Sequence, residues 1–171
     1  MDFEYFVIFL PLLASIISGF FGKIIGERNS EIVTSSFVSL AAVLSCLIFY
    51  NVIVHNYTNN ISILTWINSG ELNANWSIKI DPLSSLMLIV VTLVSALVHI
   101  YSIGYMSHDP HKSRFMSYLS LFTFSMLVLV TSDNFLQLFF GWEGVGLCSY
   151  LLIGFWYKKE TANNAAIKAF I

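Results

Sequence analysis

DNFLQLFFGWEGVGLCSYLLIGFWY, residues 133–157, carries one carboxylate, Glu143, near the middle of an otherwise apolar run. A helix needs about 20 apolar residues to span the hydrocarbon core of a bilayer, so this stretch is long enough to cross one. An ionisable side chain at the centre of such a helix costs on the order of 3 kcal/mol on insertion scales. This cost indicates a functional role, and Glu143 is therefore the first candidate site residue.

The neighbours of Glu143 indicate how its burial could be compensated. Large apolar side chains lie at helical spacing from it: Leu136, Phe139, Phe140, Leu147 and Tyr150. Gly141, Gly144 and Gly146 leave gaps in which another helix or water can come close. We expect the carboxylate to face protein or a wet cavity and to exchange protons there. The alternative is a carboxylate that only holds helices together through hydrogen bonds.

The composition identifies the class of protein. Of 171 residues, 57% are hydrophobic and 11% charged, and the mean hydropathy is +0.76. Globular proteins carry about a quarter charged residues, so we expect an all-α integral membrane protein in contact with the lipid bilayer. No basic patch for nucleic acid is present. Cys46 and Cys148 lie in apolar segments without C-x-x-C spacing, which favours neither a disulfide framework nor a metal site.

Apolar segments separated by polar loops predict a single membrane domain over residues 1–171, with five transmembrane helices and the start of a sixth. The predicted helices cover about residues 5–22, 32–54, 82–106, 115–131, 134–157 and 163–171. We expect Asp81 to be the N-cap and Pro82 the first residue of the third helix. Proline lacks a backbone N–H, and the first residue of a helix does not use this group in a helical hydrogen bond. Asp133 is expected to cap the fifth helix.

The loop between the second and third helices shows a different periodicity. Leu72, Ala74 and Trp76 alternate with polar residues, a period of two that is typical of a strand. The sequence NSGE supplies a turn signal between two such runs. We predict a β-hairpin over about residues 61–80, lying against the membrane surface of the helices. The alternative is an irregular loop anchored at the interface by Trp66 and Trp76.

The basic residues determine the orientation of the chain. Among the eight lysines and arginines, only Lys79 is in a loop on the side of the hairpin. Six lie in loops on the other side: Lys23, Arg28, Lys112, Arg114, Lys158 and Lys159. Because positive loops stay inside, we expect the hairpin and the N-terminus to lie outside.

Histidines are the remaining titratable candidates. His99 lies on a face of the third helix that also carries serines and a threonine, and it is a candidate proton relay. The alternative for His99 is a side chain hydrogen-bonded to a neighbouring helix. His108 and His111 lie in a short loop with too few other ligands for a metal site, so a solvated loop is expected there.

Two stretches carry a resemblance to a known family. IDPLSSLMLIVVTLVSALVHIYSIGYMSHDPHKSRF (residues 80–115) and FGWEGVGLCSYLLIGFWY (residues 140–157) closely resemble subunit 5, the L subunit, of proton-pumping NADH:quinone oxidoreductase, respiratory complex I. The resemblance extends from the first helix to AAIKAF, and GWEGVGLCSYLLIGFW separates this subunit from the related Mrp-type sodium/proton antiporters. It implies that Glu143 is an essential proton-channel residue, paired with a lysine on a later, discontinuous helix.

The resemblance also implies the role of the whole protein. It implies a membrane-arm translocase subunit in which proton translocation is coupled to NADH oxidation and quinone reduction, with no cofactor, metal or redox site in this chain. No Gly-rich dinucleotide turn or cysteine cluster occurs in the sequence. The implied partners are other complex I membrane subunits and the remainder of its own subunit beyond Ile171. The implied location is the bacterial inner membrane or, alternatively, the mitochondrial inner membrane.

Length is where the sequence departs from the family. Members of the family continue through many more helices, so this chain is expected to be a fragment of a longer reading frame, one piece of a split gene, or a decayed gene. Two alternative functions therefore stay open. One is an Mrp-type sodium/proton antiporter subunit, and the other is a non-functional membrane fragment.

Overall fold

The computed structural model describes residues 3–70 and 72–171. Within them the elements are α1 Phe3–Ile25, α2 Glu27–His55, β1 Asn59–Ser69, β2 Leu72–Ile80, α3 Pro82–Tyr105, α4 Lys112–Val130, α5 Phe135–Ile153 and α6 Glu160–Phe170. The first five helices are long and apolar enough to cross a membrane. The predicted all-α multi-pass fold, with a hairpin between the second and third helices, is confirmed.

Helix α4 lies at the centre of the bundle and contacts α1, α2, α3 and α5. Helix α1 packs on α2 and α4, α2 packs on α3, and α6 packs on α5. The apolar core is concentrated near the hairpin, where side chains from the hairpin-side ends of the helices meet β2. Its fully buried members are Val7, Ile8, Ile48, Val52, Ile78, Ile80, Leu88, Leu127 and Val128.

At the ends of the helices away from the hairpin, small residues bring α1 and α4 together. A Cβ atom on Gly22 would lie 2.7 Å from Ser113 Cβ, and one on Gly19 would lie 2.8 Å from Ser117 Oγ. Ser18 Oγ donates to the Ser113 carbonyl at 2.7 Å. Close backbone approach through glycine and serine is the usual way in which membrane helices associate, because lipid offers no hydrophobic drive for their contact.

The predicted start of the third helix is confirmed. The Ser84 amide donates to Asp81 Oδ1 at 2.7 Å, the Asp81 amide donates to Ser84 Oγ at 2.8 Å, and Pro82 is the first helical residue. The two side chains thus satisfy two backbone donors reciprocally.

The predicted cap of the fifth helix is wrong. Asn134, not Asp133, accepts the Gln137 amide, at 2.9 Å. The Asp133 carboxylate instead accepts from Asn60 Nδ2 at 2.9 Å and lies 3.5 Å from Lys79 Nζ. Both partners belong to the hairpin. The sequence around the helix start therefore does not reveal that Asn134, rather than Asp133, caps α5.

Two helix boundaries differ from those predicted by more than three residues. Helix α2 begins at Glu27 rather than at residue 32, because Gly26, with φ +89°, turns the chain within one residue. Helix α5 ends at Ile153 rather than at residue 157. There Arg114 Nη2 donates to the Phe155 carbonyl at 3.1 Å and the guanidinium lies 4.6 Å from the Phe155 ring centre, which holds the chain in a turn.

The hairpin is antiparallel, with register shifts between Ser62 and Leu64 and between Thr65 and Ile67. It packs on α5 through an aromatic cluster. The Trp76 ring centre lies 5.5 Å from that of Trp66 and 5.0 Å from that of Phe140, both near edge-to-face geometry. The strand pairing shows that the irregular-loop alternative is wrong, and both tryptophans pack on Phe140 of α5.

Candidate functional site

One face of α5 is held tightly against α4. Gln137, Gly141, Gly144 and Cys148 lie at a spacing of three or four residues and so share that face. A Cβ atom on Gly141 would lie 2.8 Å from the backbone of Leu129. The two backbones can therefore approach this closely only because residue 141 has no side chain.

The same contact continues toward the middle of α5. A Cβ atom on Gly144 would lie 2.9 Å from Ser125 Oγ, and Ser125 Oγ lies 3.9 Å from Cys148 Sγ. The predicted close approach of a helix is thus found at Gly141 and Gly144, whereas a Cβ atom on Gly146 would meet nothing within 4 Å in the part of the chain that the structure describes. The glycines fix the rotation of α5 about its axis and with it the direction of Glu143.

Glu143 points away from this contact and is exposed. Around it lies a broad apolar surface that includes Phe139, 61% exposed, and Trp142, 66% exposed. Leu136, Phe140, Leu147 and Tyr150 are also exposed. Residues 3–70 and 72–171 provide no ion pair or hydrogen bond to the Glu143 carboxylate. The expected protein or cavity wall around this carboxylate is thus not supplied by the described residues.

The depth of Glu143 agrees with a position inside the bilayer. It is the ninth of the 19 residues of α5. With a rise of 1.5 Å per residue, it lies about 12 Å from the start of the helix, which is the end nearer the hairpin. A carboxylate at this depth, surrounded by exposed aromatic and aliphatic side chains, is stable only where protein or water covers it.

His99 is fully buried between α3 and α4. Its Nδ1 lies 2.8 Å from the Ser95 carbonyl oxygen, and its Nε2 lies 3.0 Å from Ser120 Oγ. A carbonyl only accepts, so Nδ1 carries a proton and a neutral ring accepts the Ser120 hydroxyl at Nε2. The alternative for His99, a hydrogen bond to a neighbouring helix, is confirmed. A relay role for His99 stays a prediction.

Other buried hydroxyls extend this polar region along the inside of the bundle. Ser95 is hydrogen-bonded to Thr123, and Ser45 Oγ lies 2.7 Å from Thr92 Oγ1. These bonds join α2, α3 and α4. In the described part of the chain they do not reach Glu143, which faces away from the bundle, so the structure does not bring His99 and Glu143 together.

Gln137 is a site residue that the sequence reasoning missed. Its side chain is 1% exposed, its Oε1 accepts from the Ser77 amide at 3.0 Å, and its Nε2 donates to the Ser77 carbonyl at 2.7 Å. The amide therefore pairs with β2 as a neighbouring strand would. A signal was present in the sequence, because an amide inside an apolar helix requires buried partners.

Two carboxylates outside α5 were also missed. Glu31 of α2 is 5% exposed and lies 3.8 Å from Lys112 Nζ. Glu4 of α1 is 2% exposed and accepts the Tyr57 hydroxyl at 3.0 Å. Burial and this hydrogen bond to Glu4 raise the pKa of Tyr57, so its hydroxyl stays a donor at neutral pH. Both carboxylates stand at the ends of apolar segments, and this position was their only signal in the sequence.

The loop between α3 and α4 is organised by Asp109. This residue accepts the His111 amide at 2.8 Å and the Trp156 indole Nε1–H at 3.0 Å. No group of three or more His, Cys, Asp or Glu side chains in a metal-binding arrangement occurs in residues 3–70 and 72–171. Asp109 therefore fastens the loop to the segment that follows α5.

Two family descriptions match the chain. Residues 66–116 match the N-terminus of chain 5 of NADH-ubiquinone oxidoreductase, complex I. Residues 132–171 match the transmembrane domain shared by NADH:quinone oxidoreductase and Mrp antiporters. The first match covers the end of β1, all of β2 and α3, and the start of α4, and the second covers α5 with Glu143 and α6.

Curated relatives carry the names of complex I subunits. The chain is 57% identical to NADH-quinone oxidoreductase subunit L of Rickettsia conorii, and 55% and 54% identical to NADH-ubiquinone oxidoreductase chain 5 of Phytophthora infestans and Arabidopsis thaliana. Each alignment covers 96% of this chain and 25% of the relative, so the chain spans about a quarter of their length. These names do not favour the antiporter alternative.

A solved structure shares the fold. The archaeal membrane-bound sulfane sulfur reductase, a respiratory membrane complex, contains a chain that superposes with a TM-score of 0.79 at 18% identity. The similarity covers 99% of this chain and 33% of that chain. At this identity the likeness concerns the arrangement of helices and hairpin alone.

Proposed function

We propose, from these similarities, that this chain belongs to the family of complex I subunit L and chain 5 proteins and forms part of a proton-translocating subunit of NADH:quinone oxidoreductase. In this role it moves protons across the membrane while NADH oxidation and quinone reduction take place in other subunits. Its own contribution is translocation, with Glu143 as the group that holds the proton.

The position of Glu143 is the observation that carries the proposal. The carboxylate lies at mid-depth of α5 on an open, apolar face. Exposure of a charge to lipid at this depth costs on the order of 3 kcal/mol, so the face requires a covering element with polar or cationic groups. The relatives, of which this chain covers only 25%, contain ample further sequence for such an element.

Electrostatics describes how such a carboxylate translocates a proton. In an apolar surrounding without a cation the neutral, protonated form is favoured, whereas a lysine brought within about 4–6 Å favours the ionised form. A cation that alternately approaches and withdraws therefore makes Glu143 release a proton and then take one up. Vectorial transport follows when the two steps face opposite sides of the membrane.

The firm attachment of α5 suits this role. The Gly141 and Gly144 contacts with α4 keep the helix from rotating, and Gln137 ties its outer end to the hairpin. A carboxylate on a fixed helix keeps one direction, so the motion of the proposed cation changes the distance between the charges. We propose that α4 and the hairpin serve to position Glu143.

The test is Glu143→Gln in the full-length protein, assembled with its complex in membrane vesicles. We expect proton pumping per NADH oxidised to be lost, because glutamine keeps the shape but cannot ionise. Glu160→Gln, which changes an exposed carboxylate at the start of α6, is the matched control and should pump normally. Undiminished pumping in Glu143→Gln would remove this residue from the mechanism.

We also propose the setting in which the subunit works. Relatives occur in Rickettsia and in eukaryotes, which supports the bacterial cell membrane or the mitochondrial inner membrane as the location. Because relatives are named as subunits of a multi-subunit oxidoreductase, the proposed partners are other membrane subunits of such a complex.

A further inference from the structure

A groove that the proposed function does not use lies between α1 and α4, toward the ends of these helices away from the hairpin. It has a volume of about 710 Å³ and is lined by residues within the ranges 12–27 and 110–121. This volume falls in the range of about 300–1,000 Å³ that is typical of ligand sites. The groove is therefore large enough to hold a substantial part of a ligand such as a lipid.

The wall of the groove changes from charged to apolar along the helices. Lys23 lies in the last turn of α1, whereas Leu12 and Ile16 lie toward the middle of the same helix. With a rise of 1.5 Å per residue, Leu12 and Lys23 are about 16 Å apart along α1, which is about half of the roughly 30 Å hydrocarbon core of a bilayer. The groove thus extends from the level of the lipid headgroups across one leaflet.

Polar side chains in the middle of the wall bind to each other. Ser117 Oγ donates to the Ser15 carbonyl at 2.8 Å, and Ser18 Oγ donates to the Ser113 carbonyl at 2.7 Å. The Ser113 hydroxyl has no partner, but it is buried beneath the wall, where a ligand in the groove does not reach it. The middle of the groove therefore requires no polar ligand.

Four titratable side chains line the charged end: Lys23, Glu27, His111 and Arg114. Neither Lys23 nor Arg114 forms an ion pair within residues 3–70 and 72–171. The Arg114 guanidinium is fixed by its bond to the Phe155 carbonyl, whereas Lys23 is exposed and its flexible side chain can follow a ligand. Two cations thus oppose the single carboxylate of Glu27, and a protonated His111 would add a third.

The neighbouring charges do not reverse this sign. Glu31 lies 3.8 Å from Lys112 Nζ, and Asp109 already accepts two hydrogen bonds from N–H groups of the chain. Arg28, in the first turn of α2, is a further exposed cation. The charged end of the groove therefore attracts an anion.

The first amides of α4 add donors at the same end. His111 is the N-cap of α4, but its side chain gives these amides no hydrogen bond. The groove is lined by His111, Ser113 and Arg114, so the start of α4, with the positive end of its dipole, borders the charged end. A phosphate oxygen is a suitable acceptor for such N–H groups, and the nearby cations strengthen its attraction.

A charged end and an apolar wall that is one leaflet long fit one class of ligand. We propose that the groove binds an anionic phospholipid, with its phosphate at Lys23 and the start of α4 and one acyl chain along Leu12 and Ile16. Inorganic phosphate would occupy the charged end alone and leave the apolar wall uncovered. A zwitterionic lipid brings a cationic group, which Lys23 and Arg114 repel. This inference does not depend on the role of Glu143.

Photolabelling of the unmodified protein gives the first test. The full-length protein, in its complex, is placed in vesicles with phosphatidylglycerol or phosphatidylcholine that carries the same photoreactive acyl chain, and labelled peptides are mapped by mass spectrometry. We expect phosphatidylglycerol to label the peptides of residues 12–23 and 110–121 about fivefold more strongly, because its negative charge is not cancelled. Equal labelling by the two lipids overturns the proposal. Absence of labelling by both would mean that another subunit covers the groove, and it overturns the proposal as well.

Charge variants give the second test. Lys23→Gln should lower the labelling by phosphatidylglycerol about threefold or more, whereas Glu27→Gln, which removes the opposing carboxylate, should raise it. Lys158→Gln is the matched control, since it removes the same charge from an exposed residue outside the groove, and it should have no effect. An equal loss in Lys23→Gln and Lys158→Gln would indicate general attraction to a basic surface and overturns the proposal.

A variant of the apolar wall tests the position of the acyl chain. Ile16 is 41% exposed, so Ile16→Trp adds volume within the groove without changing any charge. We expect it to lower the labelling by phosphatidylglycerol about threefold or more. Unchanged labelling would mean that the chain lies elsewhere and that only the phosphate is bound, which overturns the proposal.

Discussion

The side-chain amide of Gln137 pairs with both backbone groups of Ser77, at 3.0 Å and 2.7 Å, and so joins the helix that carries Glu143 to the hairpin. Ser77 and Gln137 are 3% and 1% exposed, so water does not compete for these bonds. Because polar groups of this kind are costly when unpaired, the contact determines where α5 lies relative to β2.

Gln137→Leu should destabilise the protein by about 2–4 kcal/mol, because the Ser77 N–H and carbonyl then stay buried without partners. Thermal unfolding of the purified protein measures the loss, and limited proteolysis should show earlier cleavage in the hairpin. Ser149→Ala is the control, since among the described residues its hydroxyl bonds only within α5, to the Val145 carbonyl at 2.8 Å. Equal stability of the two variants would mean that the Gln137 contact is not maintained.

Gly141→Ala should be poorly tolerated, because the added methyl group would lie 2.8 Å from the Leu129 backbone, which cannot give way without moving α4. We expect a loss of about 1–3 kcal/mol in stability and reduced assembly. Gly146→Ala makes the same chemical change on the same helix, where the added Cβ would meet no atom of another element in residues 3–70 and 72–171 within 4 Å, and it should be neutral or slightly stabilising. Similar thermal unfolding of both variants would contradict the close α4–α5 contact.

Asn134→Ala should cost more than Asp133→Ala. Asn134 caps α5 through the Gln137 amide and also donates to the Asn75 carbonyl at 2.7 Å, so its loss should cost at least about 1 kcal/mol. The Asp133–Lys79 pair lies at the surface and should contribute less than about 1 kcal/mol. Chemical denaturation of the two variants compares these costs, and the reverse order would restore Asp133 as the cap.

Ser120→Ala removes the hydroxyl that His99 Nε2 contacts at 3.0 Å. We expect a loss of about 1–2 kcal/mol in stability, because the ring nitrogen then has no partner. Proton pumping per NADH oxidised should be preserved in vesicles, since the hydrogen bonds around His99 do not lead to Glu143 in residues 3–70 and 72–171. Normal stability combined with lost pumping would instead support a relay through His99.

Local features of the sequence predicted most of the fold. Apolar run lengths predicted the helices, the period of two from Leu72 onward predicted the second strand, and the Asp81–Pro82 pair predicted the start of α3. These features act over a few neighbouring residues, through backbone hydrogen bonds and the alternation of side chains, so they can be recognised without knowledge of distant contacts. Glu143 stood out for a similar reason, since one charge in an apolar run is visible in the sequence itself.

Contacts between distant residues were decided only by the tertiary structure. Asp133 pairs with Lys79 of the hairpin, and Asn134 caps α5 instead. The chain turns after α5 where Arg114 donates to the Phe155 carbonyl, and the buried Glu4 carboxylate accepts the Tyr57 hydroxyl. In each case a side chain takes the partner that packing brings within about 3 Å, and sequence spacing carries no information about that distance. The direction of Glu143 belongs to the same class, because the fit of Gly141 against the Leu129 backbone sets the rotation of its helix.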